Sequence, residues 1–251
     1  MRQVICNNYP SGNGELVLEG KLYTHLAMSL RKKVGERINL RLPSAELFES
    51  EIVSISKDKL VCRLHHRLDE TPFPLKMVLL QWELKADKMD AVIRSATEIG
   101  VQYILPVIGS YCVPRTKNEK EKVRRENIVR SAREQSGSPV DTQVLTSLSL
   151  PLALKKLDEL TMQKNVRKLL AYEKKETRSK SVFSSIDGNE KTLIVAIGAE
   201  GGIAGEECEL LKCAGFDLLH FEGNVLRAQT ASVYALASLK EAYYEKNKML
   251  R

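Results

Sequence analysis

The chain has 251 residues, of which 43% are hydrophobic and 28% charged, with a formal net charge of +7. That length can bury a sizeable core in one or two domains, the balance excludes a disordered chain, and no apolar run reaches membrane-spanning length, so no membrane association is expected. The cationic excess favours a polyanionic partner, while five scattered cysteines without a C-x-x-C pair, and a start without signal-peptide architecture, predict reduced thiols in a cytoplasmic protein with no metal site.

The first seventy or so residues read as mostly β. Short strand-like runs occur at Glu15–Leu18, Arg37–Leu42, Glu51–Ile55 and Leu60–Leu64, with a short helical stretch around His25–Leu30. That pattern suits a small barrel. Prolines and charges near 69–74 mark a linker, dividing the chain into domains 1–72 and 73–251.

The texture then changes to alternating strands and helices. Strands are predicted at 76–81, 103–108, 140–145, 169–172, 193–197 and 218–221. Helices are predicted at 88–99, about 119–135, 150–160, after Gly205, and from about Thr230 to Lys246. Alternation of this kind implies an α/β fold, a parallel sheet with helices on both faces. The final helix carries Val233, Tyr234, Leu236, Ala237 and Leu239, more apolar surface than one face needs.

Two apolar runs end in glycine loops near the C-terminus. Leu193–Ile197 leads into Gly198-Ala199-Glu200-Gly201-Gly202, and Phe216–Phe221 leads into Glu222-Gly223-Asn224 and then Leu226-Arg227-Ala228-Gln229-Thr230-Ala231. Neighbouring loops of this type build one pocket where backbone approaches a ligand closely; two ordinary turns are the alternative. The spacing is neither G-x-G-x-x-G nor a P-loop, so phosphate-cradling cofactors lose support. Backbone groups of such loops can hold a flat ligand, with Leu226 and Phe221 as an apolar wall. Glu200 reads either as a ligand contact or as a loop-stabilising carboxylate. Arg227, at the positive end of a helix, is electrostatically misplaced for a structural role, which favours a ligand role. Thr230 reads as a helix cap, a ligand contact, or both.

Basic residues concentrate at Arg115, Lys117, Lys120, Lys122, Arg124, Arg125, Arg130 and Arg133, and at Arg31-Lys32-Lys33. They form either a solvated face or a groove for nucleic-acid phosphates. His25 is either a partly buried histidine or a nucleic-acid contact. Neither a G-x-S-x-G elbow nor H-E-x-x-H occurs, so hydrolase and metalloenzyme readings lack positive support.

Taken together, Gly198-Ala199-Glu200-Gly201-Gly202 and Leu226-Arg227-x-x-Thr230-Ala231 resemble motifs of the RsmE-type 16S ribosomal RNA uridine-N3 methyltransferases of the SPOUT class. The likeness extends upstream in the same order. It runs through His25-Leu26, Leu30-Arg31 and Gly35; then Lys88-Met89, Ala96-Thr97-Glu98-Ile99-Gly100 and Pro106; then Glu134-Gln135-Ser136. Each motif is weak alone; the ordered set covers nearly the whole chain.

The resemblance implies a trefoil-knotted sheet preceded by a PUA-like barrel that binds RNA. It implies S-adenosylmethionine as cofactor, ribosomal RNA or the small subunit as partner, and a homodimer packed through the knotted domain with the final helix near the interface. Gly198, Glu200, Gly201, Gly202, Phe221, Gly223, Leu226, Arg227 and Thr230 become the expected cofactor contacts. His25, Arg31, Lys32, Arg115 and Arg124 become the expected RNA contacts. Arg227, Gln229 and Glu222 are the expected catalytic positions.

The chain departs from the family pattern where Glu222 stands for a glycine, Asn224 for an arginine and Gln229 for a glutamate. Gln229 cannot take a proton, which makes Glu222, the nearest carboxylate in sequence, the candidate replacement base. Ala199 replaces a proline, and Ser138 and Tyr111 each replace an arginine. Two further readings stay open: an inactive RNA-binding member of the fold, or a methyltransferase for another RNA position.

Overall fold

The computed structural model describes residues 2–70, 74–112, 119–161, 165–174, 176 and 179–249. The chain forms two compact units, Met1–Pro72 with Arg133–Pro139, and Phe73–Ala132 with Val140–Arg251. The first unit therefore takes in a segment distant in sequence, beyond the 72/73 boundary expected from the linker.

In the first unit, β1 (Val4–Ile5), β2 (Glu15–Glu19), β3 (Arg37–Arg41), β4 (Leu47–Ile55) and β5 (Lys59–Arg67) form a sheet in the order β1-β3-β4-β5-β2. Pairing is antiparallel except between β1 and β3. Alternate residues Leu16, Leu18, Ile38, Leu40, Ile52, Leu60 and Cys62 turn inward to a compact core, as period-two strands require. Helix α1 (Gly20–Tyr23) runs on into a wider helical turn, Thr24–Ser29, which buries Leu26 against that core.

A polar network binds the distant segment to this unit. The buried Gln3 amide nitrogen donates to the carbonyls of Arg133 (2.8 Å) and Ser138 (3.1 Å), and Gln3 Oε1 accepts from Arg41 Nε (2.7 Å). Arg41 is buried and forms a two-pronged pair with Glu70 at 2.7 and 2.8 Å. A buried guanidinium is tolerated only because its donors are spoken for.

The second unit is built on a parallel sheet. Its strands are β6 (Lys76–Trp82), β7 (Tyr103–Ile108), β8 (Gln143–Val144), β9 (Leu148–Ser149), β10 (Val166–Ala171), β11 (Thr192–Ile197) and β12 (Asp217–Leu219). The order is β12-β10-β11-β6-β7-β8, with β9 also on β7, and every pair is parallel. All six residues of β11 are buried, as are six of the seven in β6, so both strands read as continuous apolar runs rather than alternating ones.

Helices α2 (Ala86–Ile99), α3 (Glu119–Ser136), α4 (Leu150–Leu160), α5 (Gly205–Cys213) and α6 (Ala228–Met249) complete it. Helix α2 ends at Gly100, whose φ of 94° is the left-handed cap that glycine adopts without a Cβ penalty. Among the described residues, no helix is long and apolar enough to cross a membrane.

Strands β1 and β9 are not among those predicted, β4 and β10 begin earlier than expected, and three further elements differ. The expected strand at 140–145 shrinks to β8, because Val140 to Thr142 make turn and side-chain bonds instead of ladder bonds. The strand expected to reach Phe221 stops at Leu219, and 220–227 become irregular. Helix α6 begins at Ala228, before Thr230, with the Arg227 carbonyl accepting its first bond from Ala231 N (2.8 Å). Removing Glu70 strands the Arg41 guanidinium. Glu70→Ala is therefore expected to cost about 2–3 kcal/mol, less than for a fully enclosed pair because the Glu70 side chain is 28% exposed, measured by urea unfolding.

Candidate active site

In open parallel sheets, ligands bind at the carboxyl ends of the strands, where the order of the strands reverses. Here the carboxyl ends of β10, β11 and β12 feed loops that surround a cavity of about 320 Å³. Its wall includes Ala171 and Tyr172 after β10, Gly198 to Glu200 and Gly202 after β11, and His220, Phe221 and Gly223 to Gln229 after β12.

The glycines at this wall are required by close approach. A Cβ at Gly198 would lie 2.8 Å from the Gly202 carbonyl carbon and 2.8 Å from Ile203 Cγ1. The loop thus folds back on itself, and Gly202 N donates to the Ala199 carbonyl at 3.0 Å. Gly202 itself has φ of 81° and faces the Glu173 carboxylate.

The loop is fixed from below by a buried amide. Gln81, near the end of β6, has no solvent exposure. Its Nε2 lies 3.3 Å from the Gly198 carbonyl, 3.4 Å from that of Ile197 and 3.1 Å from that of Trp82. Its Oε1 accepts from Ser232 Oγ, on the first turns of α6, at 2.6 Å. One side chain therefore joins the glycine loop to the helix that carries the opposite wall.

Glu200 at the rim is paired. Lys88 Nζ donates to Glu200 Oε1 at 3.0 Å, and Lys85 N approaches the same oxygen at 3.5 Å. Burial alone would raise the Glu200 carboxyl, but the Lys88 hydrogen bond and the backbone N–H groups outweigh it and hold the carboxyl below its ordinary range. His220 Nδ1 sits 3.4 Å from the Tyr172 carbonyl, across the cavity wall. Phe221 packs edge-on against Tyr234 of α6, with ring centroids 5.0 Å apart, which stiffens the apolar side.

Gln229 also lines the cavity, and its Oε1 is buried with no hydrogen-bond partner among the described residues. An orphaned buried acceptor carries a penalty and calls for a donor.

Of the residues expected at the site, Gly198, Glu200, Gly202, Phe221, Gly223, Leu226, Arg227 and Gln229 meet around this cavity. Gly201, Glu222 and Thr230 are not part of its wall. Gly201 instead faces Tyr111, whose Cβ would be 3.1 Å from an added methyl. Glu222 lies on an exposed turn, and Thr230 is an exposed residue inside the first turn of α6 rather than its cap. Sequence reasoning missed Gln81, Ser232, Tyr172, Glu173 and His220. The one available signal was Gln81, a polar residue closing an otherwise apolar strand.

The basic residues divide. His25 and Arg31 are exposed, and Arg31 holds a φ of 52°, unusual for a side chain with a Cβ. Lys32 pairs with Glu36 at 2.6 Å. Arg124 pairs with Asp90 and shares a shallow groove with Arg94 and Lys120. Arg125, expected on the solvated or groove-forming face, is instead buried, bonded to Glu83 at 3.0 Å and Glu121 at 2.7 Å. Glu83, just beyond the end of β6, and Glu121 on α3 pair with it. Arg115 lies outside the described residues.

Residues 71–240 match the RNA methyltransferase domain family. The chain is 28% identical over 240 residues to the ribosomal RNA small subunit methyltransferase E of Rickettsia conorii, covering 95% of this chain and 94% of the relative. It is 29% identical to ribosomal RNA small subunit methyltransferase E 2 of Borreliella burgdorferi, with 96% and 97% covered. Among solved structures, it superimposes with a TM-score of 0.83 on the ribosomal RNA small subunit methyltransferase E of Neisseria gonorrhoeae bound to S-adenosyl methionine, at 26% identity, over 97% of this chain and 98% of that one. The chain belongs to this RNA methyltransferase family, in its RsmE type.

The Gln81 bridge has a measurable consequence. Ser232→Ala leaves the buried Gln81 Oε1 unpaired and is expected to cost about 1–3 kcal/mol in urea unfolding, whereas Ser44, an exposed serine, is expected to tolerate the same change.

Proposed function

We propose that the protein transfers a methyl group from S-adenosylmethionine to N3 of a uridine in 16S ribosomal RNA, acting in the cytoplasm as a homodimer. The observation that carries this reading is the cavity at the carboxyl ends of β10, β11 and β12, in a chain of this family. Its size suits a nucleoside-containing ligand. Glycines bring backbone N–H and C=O groups to its edge, and Phe221 and Leu226 provide an apolar wall. These residues fit S-adenosylmethionine, with Gly198, Glu200, Gly202, Phe221, Gly223 and Leu226 as its holders.

When bound, that cofactor supplies an activated methyl group on a sulfonium. The chain's own residues then have three tasks. They position the base in line with the methyl group. Arg227, exposed at the cavity, stabilises the charge that spreads onto the uracil oxygens when N3 loses its proton. A basic group at the wall or solvent accepts that proton. Gln229 cannot, and Glu222 is not among the wall residues; the wall groups able to do so are Glu173, His220 and Glu200, the last of them held by Lys88.

The target base must be presented unpaired or flipped for N3 to be reached. The strand order, with β11 placed between β6 and β10, supports a knotted path in this unit. The first unit, with exposed His25 and Arg31 and with Lys32, is read as the PUA-like RNA-binding domain. For the dimer, Leu236 and Leu239 are buried within the protomer, which leaves Val233, Tyr234 and Ala237 of α6 as the exposed apolar contacts.

Gln229 also supports a second reading, an RNA-binding member without activity. Transfer of labelled methyl to 16S ribosomal RNA or small subunits from a strain lacking the modification separates the two. Site-specific N3-methyluridine is expected; transfer at another position, or none despite intact cofactor and RNA binding, would overturn the proposal.

Gly198→Ala pushes a methyl into the Gly202 backbone and is expected to weaken S-adenosylmethionine binding at least about tenfold by calorimetry, roughly 1.4 kcal/mol. Gly201→Ala, whose methyl meets the Tyr111 side chain at 3.1 Å rather than the loop's own backbone, is expected to weaken it less than Gly198→Ala. RNA affinity is expected to fall steeply with salt, with a log–log slope of about −0.7 per phosphate for single strands. Arg31→Ala is expected to flatten that slope without altering cofactor affinity.

A further inference from the structure

The loop after β7 is built with unusual rigidity for a segment that presents an exposed aromatic ring. Ser110 N donates to Glu207 Oε1 at 2.9 Å, and Glu207 is buried. The other Glu207 oxygen accepts from Trp82 Nε1 (3.2 Å) and from Ala204 N (3.1 Å), so one carboxylate ties this loop to β6 and to the segment that follows the glycine loop. Cys112 N closes a tight turn onto the Gly109 carbonyl at 3.1 Å, and Gly109 N approaches Cys112 Sγ at 3.3 Å. Gly109 is obligatory: a Cβ there would fall 2.1 Å from Trp82 Nε1.

At the tip of this turn stands Tyr111, 55% exposed. It rests on Gly201. A methyl added there would be 3.1 Å from Tyr111 Cβ, 3.4 Å from Cγ and 3.6 Å from Cδ2, so glycine is what lets the ring root settle on the loop. Gly201 is flanked by Glu200 and Gly202, both of the cavity wall. The ring is therefore held at the outer side of the glycine loop whose inner side faces the cavity. Its surroundings anchor the backbone and leave much of the side chain to solvent.

A fixed, half-open aromatic ring beside a cavity that must receive an unstacked base has the properties of a stacking platform. Stacking replaces the contacts a base loses on leaving its own strand and tolerates any base, because every base has a π-face. A phenol ring costs little conformational entropy to immobilise, and here its backbone is already immobile. We propose that Tyr111 is the platform on which a nucleobase of the RNA stacks on the outer side of the glycine loop, contributing affinity without neutralising phosphate. The inference rests on the RNA methyltransferase reading above.

The test uses the full-length protein and single-stranded oligouridylate, followed by fluorescence anisotropy at several salt concentrations, with S-adenosylmethionine affinity measured in parallel. Tyr111→Ala is expected to weaken RNA binding about 5- to 150-fold, the range for one lost base stack. Its salt slope and cofactor affinity are expected to match wild type. Tyr111→Phe, which keeps the ring, is expected to bind like wild type.

Unchanged RNA affinity in Tyr111→Ala would overturn the proposal. So would a Phe variant as weak as Ala, since the hydroxyl would then be the contact, or a shift toward monomer in sedimentation, since the ring would then serve subunit packing. Loss of cofactor affinity in Tyr111→Ala would make the ring a support for the glycine loop instead. A wild-type protein that binds neither cofactor nor RNA would bring down the underlying reading, an outcome distinct from failure of Tyr111 alone.

Discussion

A single buried carboxamide holds the candidate site together. Gln81 has two amide hydrogens and one carbonyl oxygen, and the structure divides them among the end of β6, the glycine loop and α6. Its nitrogen faces the carbonyls at the end of β11, where the ladder stops and the chain must leave the sheet. Its oxygen takes the Ser232 hydroxyl, which fixes the first turns of α6. In a low-dielectric interior each of these bonds is strong and each broken one is costly. The glycine loop and the α6 entry therefore keep a common geometry, although they lie some two dozen residues apart.

The same logic recurs one strand over. Glu207, in the first turn of α5, accepts bonds from Ala204 N, Trp82 Nε1 and Ser110 N. A carboxylate at a helix start is favoured by the dipole, and here it also collects stray backbone donors from two loops. Glu83, buried beside it in sequence from Trp82, takes Arg125 and the Ser147 hydroxyl. The carboxyl edge of the sheet is thus lined beneath its loops by buried polar residues that are each satisfied by several partners. Irregular loops above gain order from these anchors rather than from regular secondary structure.

Most elements were legible because hydrophobic period and length are local properties. The strand at Tyr103–Ile108 and the helix at Leu150–Leu160 match their expected bounds, since an apolar run or an amphipathic stripe is bounded there by polar turn residues. The end of β12 was not legible. Phe221 continues the apolar run, yet it leaves the ladder to pack edge-on against Tyr234, a residue of α6 that no local pattern pairs with it. Arg125 fails as a surface cation for the same reason. Its partner Glu83 is 42 residues away, and only the fold makes burial affordable.

By itself, the sequence determined the alternation of strands and helices, the two glycine loops and the motifs of the RNA methyltransferase family, because these depend on residue type and short spacing. Tertiary structure decided which glycines face the cavity. Gly198 and Gly202 line it, while Gly201 turns outward under Tyr111, a distinction set by backbone direction within a five-residue loop. It also decided that Arg133–Pro139 belongs with the first unit, through the Gln3 amide, and that Glu222 is not among the residues lining the cavity. Such choices depend on contacts between residues distant along the chain, whose proximity the pattern of any single segment does not encode.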